Sequence, residues 1–242
     1  MAQTRLGELC LRRRLEPITA TQVYEVKLGE EFLMSSLFTV AEEALADLGL
    51  AALASRDAER GSEQPSERAF CGWSVLVGGL GLGYTGVAAL RDDRVGTLTV
   101  VEALEPVIEW HQQRLLPVSE TLINDARTSV VLADFFATIA AGPSESGPLA
   151  PPYDAVLLDI DHAPDFVLHE SHQGFYSVAG LQRMREFVKP AGVFALWSDN
   201  APDEAFTEHL ASVFTDAAAH VVSFANPLIE GTSANTVYVA LA

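Results

Sequence analysis

The sequence predicts an α/β protein: a mostly parallel sheet with helices on both faces over residues 73–242, preceded by small antiparallel strands and one helix. Three observations predict it. Short apolar runs alternate with helical patterns from Trp73 onward. The run Val75-Leu76-Val77 leads straight into the glycine-rich loop Gly78-Gly79-Leu80-Gly81-Leu82-Gly83. The last two apolar runs can pair as a hairpin at a sheet edge. On this basis residues 1–54 form strands plus a helix, 55–72 a linker and 73–242 the main domain.

Residues 6–36 alternate apolar and polar through Leu9, Leu11 and Tyr24-Glu25-Val26-Lys27-Leu28, with Gly29-Glu30-Glu31 as a turn before Phe32-Leu33-Met34, which is the period of small antiparallel strands. From Leu37 to Leu53 the apolar positions Leu37, Val40, Ala41, Ala44, Leu45 and Leu48 keep helical spacing, with Gly49 as a stop signal. Ser55 to Glu67 is charged, carries Gly61 and Pro65, and has almost nothing to bury, so it is predicted as a surface linker.

Beyond it, strands are predicted at 73–77, 98–101, 130–132, 155–158 and 193–197, and helices at 86–90, 106–116, 135–140 and 180–188. The proline-rich stretch 142–152 is predicted as a mobile loop. A last helix over 203–218 precedes the hairpin runs 221–224 and 236–241.

With 242 residues and 49% hydrophobic composition, the chain can bury one sizeable core. Lys plus Arg number 15 against 33 Asp plus Glu, a formal charge of −18, so most of the surface repels nucleic acid and attracts a small cation. Cys10 and Cys71 are too few for a disulfide framework or a thiolate zinc site, and a reduced cytoplasmic setting is expected. Arg5, Glu8 and Arg12-Arg13-Arg14 leave no apolar run for a secretory signal. No segment approaches the ~20 consecutive apolar residues of a membrane helix.

In open α/β sheets, ligands sit outside the carboxyl ends of the strands. Gly79, Gly81 and Gly83 follow the first strand of the main domain, Glu102 ends the second, Asp134 follows the third, and Asp159 and Asp161 follow the fourth. Glycines there let the backbone turn and touch a ligand, and a carboxylate about 20 residues on can accept both hydroxyls of a ribose. Any one of these acids alone could simply cap a helix. Four consecutive strands ending this way point to a nucleoside site.

These segments resemble the spermidine synthases, polyamine aminopropyltransferases of the methyltransferase-like Rossmann superfamily, over roughly residues 73–200. Val77 to Gly83 lies where that family has its nucleoside loop, and Val100-Val101-Glu102 looks like its ribose-binding acid. Leu132-Ala133-Asp134-Phe135-Phe136 is similar to the segment whose Asp bonds the adenine amino group. Tyr153 to Asp159 resembles the strand ending in the catalytic Asp, and Glu170-Ser171 through Phe175-Tyr176 resembles the helix after it. Val188-Lys189-Pro190-Ala191-Gly192-Val193 looks like the turn before the fifth strand, with Ala191 where Gly is usual.

The resemblance implies a Rossmann-like methyltransferase-type sheet with an antiparallel C-terminal strand behind an N-terminal β-hairpin region. It implies decarboxylated S-adenosylmethionine or S-adenosylmethionine as co-substrate and no metal. It further implies a small cationic amine as acceptor, and a homodimer built on the N-terminal strands, which the Arg12–Arg14 cluster could serve against an acidic body. Gly79, Gly81, Gly83, Glu102, Asp134 and Phe135 would hold the nucleoside, Asp159 would be the base, and Asp161 and His162 would anchor the amine or else cap the next helix.

Two departures fall on substrate-holding positions. Gly81 stands where the family's loop has an Asp for the aminopropyl amine, and Ile160-Asp161-His162-Ala163-Pro164 stands where the family has Ser-Ser-Asp-Pro. The family's tyrosine-containing gate is also unmatched in Ser35–Glu42. Binding of an adenosyl sulfonium is thus better supported than aminopropyl transfer. A methyltransferase and a non-catalytic nucleoside-binding homologue remain as alternatives.

His162, His169 and His172 lie close together, but without a cysteine a cationic-ligand site accounts for the nearby acids better than a metal. Phe194 and Trp197 are assigned to the core, and Trp110, His111 and Arg114 to the solvent face of the helix after Glu102.

Overall fold

The computed structural model describes residues 1–4, 7–63 and 72–242. Arg5, Cys71 and the 64–71 part of the expected linker lie outside the described residues. A four-stranded antiparallel sheet runs in order β1 (Ala2–Thr4), β2 (Gly7–Glu16), β3 (Thr21–Leu28) and β4 (Glu31–Ser35). Register places Arg12 opposite Glu25, and Arg12 Nε and Arg14 Nε donate to the buried Glu25 carboxylate at 2.5 and 2.9 Å. Arg14 also pairs with Glu16. Two arginines of the basic cluster are therefore spent inside this sheet, where they compensate acids that would be costly to bury alone.

Helix α1 (Val40–Glu63) runs past the expected stop at Gly49 and through the first part of the expected linker. Its buried positions Ala41, Leu45, Ala46, Gly49, Leu50 and Leu53 keep one face on the main sheet. Gly49 marks a close approach: a Cβ there would lie 2.8 Å from Leu157 Cδ2 and 3.3 Å from Ala195 Cβ. The polar extension past Ser55 is tied down by Trp73, whose indole N–H donates to Asp57 at 2.8 Å while Arg94 lies over the ring at 4.4 Å.

The main sheet is built from β5 (Trp73–Gly78), α2 (Tyr84–Leu90), β6 (Val95–Glu102), α3 (Glu105–Gln112), α4 (Ser119–Asn124), β7 (Thr128–Leu132), α5 (Phe135–Ala141) and β8 (Tyr153–Leu158). A 3-10 turn (Glu170–Tyr176), α6 (Val178–Arg185), β9 (Val188–Ser198), α7 (Glu204–Val213), β10 (Asp216–Asn226) and β11 (Gly231–Leu241) complete it. Strand order is β10-β11-β9-β8-β5-β6-β7, with β9-β8-β5-β6-β7 parallel and the β10–β11 hairpin antiparallel at one edge. The central strands are continuous apolar runs because both faces are covered, by α1 to α4 on one side and by α5 to α7 on the other.

Two further helix ends differ from the sequence expectation. The predicted helix over 106–116 stops at Gln112, and Arg114 turns at φ 56° into the unanticipated α4. The last helix ends at Val213 rather than 218, since residues 216–218 pair with β11 and Phe214 stacks on Phe194 at 5.8 Å. Alanine's helix propensity is weak against eleven residue pairs of antiparallel register. Phe194 is core as assigned, and Trp197 is partly buried against the core on the other face of the sheet. No helix among the described residues is long and apolar enough to cross a membrane.

Gly49→Leu should drive a branched side chain into Leu157 and Ala195 and lower stability by about 2 kcal/mol. Thermal unfolding followed by circular dichroism should show a melting temperature several degrees below wild type.

Candidate functional site

Chain order reverses at β5: one crossover leads to β6 and β7, while β8 and β9 lie on its other side. The loops that leave the carboxyl ends of β5 and β8 therefore diverge and open a cleft at the topological switch point. The cavity there is about 330 Å³ and is lined by Gly79, Gly81, Glu102, Asp134, Phe135 and Asp159 among others. Gly79 and Gly81 of the loop and three of the expected acids thus line one cavity, whereas Gly83 is turned away against His111 and Leu122.

Gly79, Gly81 and Gly83 all take left-handed backbone conformations, with φ of 95°, 47° and 90°. The constraint is tightest at Gly79, where a Cβ would sit 2.1 Å from the Asp159 carbonyl oxygen. Main-chain bonds fix the loop base: Gly79 N–H donates to Val101 O at 2.9 Å, and Asp159 N–H to Gly78 O at 2.8 Å. Glu102, largely buried, accepts from the N–H groups of Leu80 (3.1 Å), Gly81 (3.5 Å) and Leu104 (2.8 Å). Burial pushes its carboxyl up, and these amides oppose that shift. Asp134, half-buried, caps α5 by accepting from Ala137 N–H at 3.0 Å while also lining the cleft. The Phe135 ring is buried beneath Gly78 and against Phe175.

His111 supports the loop from behind. Its Nε2 lies 3.0 Å from Gly81 O and its Nδ1 3.1 Å from Ser119 Oγ, and burial pushes the imidazole pKa down. Trp110 and His111 therefore do not face solvent as expected, and of that group only Arg114 is exposed. The run Val107, Ile108, Trp110 and His111 carried the signal, since that spacing is one buried helix face.

Asp159 accepts from Thr85 Oγ at 2.6 Å, and the same hydroxyl lies 3.2 Å from the main-chain carbonyl of Glu42 at the start of α1. Burial raises the Asp159 carboxyl to about 6, and burial together with the Asp159 charge raises that of Glu42 to about 8. The two acids disfavour each other's charge, and the Thr85 hydroxyl favours Asp159 as the ionised member. Neither Glu42 nor Thr85 was singled out from the sequence; long-range packing of α1 against the sheet brings them to Asp159.

Asp161 and His162 do not line the cleft. Asp161 is 2% exposed and accepts from Leu168 N–H, His172 Nδ1 and Tyr176 O–H at 2.9, 2.8 and 2.7 Å, so its carboxylate is committed within the protein. His162 stacks on Phe166 at 5.2 Å, and its carbonyl accepts from Asp199 N–H at 2.7 Å. Of the three neighbouring histidines, His169 and His172 reach the cleft. Among the described residues no group of three or more His, Cys, Asp or Glu side chains is placed to hold a metal ion.

This architecture is the class I methyltransferase-like Rossmann fold with an added N-terminal antiparallel sheet. No protein-family model matches the chain. Among solved structures it is similar to a spermidine synthase in complex with the transition state analogue AdoDATO (14% identity, 99% of this chain and 72% of that one, TM-score 0.68). The spermidine synthase of Thermotoga maritima matches alike (15% identity, 99% and 71%, TM-score 0.69). Human methyltransferase-like protein 13 in complex with SAH matches at 21% identity over 83% of this chain and 81% of that one, with a TM-score of 0.58.

The raised acids set a sign for stability against pH. Folded Asp159 and Glu42 hold protons more tightly than the unfolded chain, so they cost nothing below about pH 4. They lower stability progressively as pH rises through about 6 and then about 8. Glu42→Gln, which stays neutral, should melt higher than wild type at pH 8 and equal to it at pH 4. Calorimetry at the two pH values checks this; an equal shift at both would place the effect in packing.

Proposed function

We propose that this chain is a transferase that binds an adenosyl sulfonium nucleoside in the cleft and moves its aminopropyl group to a small cationic diamine. The observation that carries this reading is the convergence of Glu102, Asp134 and Asp159, from the ends of three strands, on the one cleft that the glycine loop also lines. Glu102 would hold the ribose hydroxyls and Asp134 the amino group of the base. Decarboxylated S-adenosylmethionine is the co-substrate that fits aminopropyl transfer, and its sulfonium supplies the leaving group.

Ionised Asp159, which lines the cleft, supplies negative charge where a protonated amine must dock. Asp159 then accepts the proton the nitrogen gives up, as the new C–N bond forms and the C–S electron pair returns to sulfur. The net charge of −18 favours approach of a polycation. The N-terminal sheet is proposed as a homodimer contact, and the setting as cytoplasmic.

A second reading, methyl transfer from S-adenosylmethionine, is favoured by one observation. Gly81 leaves the loop without a carboxylate to grip an aminopropyl amine, and Met34 Sδ would lie 3.3 Å from a Cβ placed there.

Incubation with decarboxylated S-adenosylmethionine and putrescine should release methylthioadenosine, whereas release of adenosylhomocysteine from S-adenosylmethionine would select methyl transfer. Asp159→Asn should lower kcat on the order of 10²–10⁴-fold without weakening nucleoside affinity. The wild-type rate should rise with pH through about 6 as Asp159 ionises. Product formation that survives Asp159→Asn would remove Asp159 as base.

A further inference from the structure

Asp161 is an acid in need of an explanation once it is seen outside the cleft. Its three donors differ in what else they reach. Tyr176 ends in the aromatic core beside Phe136, Phe175 and Phe206, and Leu168 gives only its main-chain N–H. His172 alone carries a second polar atom. Its ring lies flat on Phe136, centroids 4.0 Å apart at 25°, and with Phe136 and Asp134 it lines the cleft. Nδ1 faces Asp161, and Nε2 has no partner among the described residues.

A carboxylate only accepts, so it fixes the proton of the neutral imidazole on Nδ1 and leaves Nε2 with its lone pair. The cleft that Asp134 lines thereby gains a second acceptor, two residues along α5 from Asp134 through the ring of Phe136. An amino group on a purine offers two N–H donors in one plane, which two acceptors can share. A 6-oxo purine would instead bring its own oxygen against both.

Resting on the adenosyl-ligand reading above, we propose that His172, oriented by Asp161, reads the purine at its C6 amino group together with Asp134 and selects 6-aminopurine nucleosides over 6-oxopurine ones. Asp161 is then a positioning residue that acts through His172.

Calorimetric titration of the full chain with methylthioadenosine and methylthioinosine tests it. Wild type should prefer the amino nucleoside about 100-fold, because the oxo compound leaves polar groups unpaired. His172→Phe, which keeps the ring on Phe136 but removes the acceptor, should cut that preference to about 10-fold, largely by weakening methylthioadenosine. Asp161→Asn should reduce it in the same direction. A purely structural role would weaken both nucleosides equally and leave the ratio intact. The ring nitrogen NMR signal of His172 in wild type should move on adding methylthioadenosine and stay fixed with methylthioinosine, which decides the matter even where a variant fails to fold. Wild-type binding of methylthioadenosine with an unchanged ratio in His172→Phe and an unmoved signal overturns the role of His172 alone. Binding of neither nucleoside by wild type overturns the adenosyl-ligand reading itself, and this inference with it.

Discussion

The close approach of two strand ends is the constraint from which the rest of the site follows. Where β5 leaves the sheet, its backbone passes the end of β8 so tightly that Gly79 has no room for a Cβ beside the Asp159 carbonyl. That contact sets the distance between the glycine loop and Asp159, and the Asp159 N–H bond to Gly78 locks it. Glu102 completes the clamp from the other side by gathering loop amides on one carboxylate. A nucleoside meeting this wall would find polar groups already oriented, so little ordering would be needed on binding.

The electrostatics are arranged in the same spirit. Glu102 is buried but answered by backbone N–H groups, and Asp161 is buried but answered by three donors. Asp159 is answered by one hydroxyl and Glu42 is buried near its charge, so both carboxyls rise. Burying acids without partners costs stability, and proteins retain that cost where a site uses it.

Much of this was legible in the residues. Apolar runs with breaks fixed the alternation of strands and helices, and acids after successive strands pointed to Glu102, Asp134 and Asp159, which the fold brings to one cleft. The same logic misplaced Asp161, because adjacency in sequence to Asp159 says nothing about which way the chain turns after β8. It missed Glu42 and Thr85, whose relation to Asp159 spans more than 70 residues for Thr85 alone. It read 55–63 as linker because those side chains bury little, whereas one indole–carboxylate bond at Asp57 holds the helix on.

By itself, then, the sequence determined the periodicities, the glycine loop and the order in which acids follow strands, because these are set within a few residues along the chain. Which acids face the cleft, which are consumed as internal anchors, and which histidine gains a carboxylate partner were decided only by tertiary structure. The reason is physical: a carboxylate's role depends on the donors and charges packed around it, and these arrive from segments far apart in the chain.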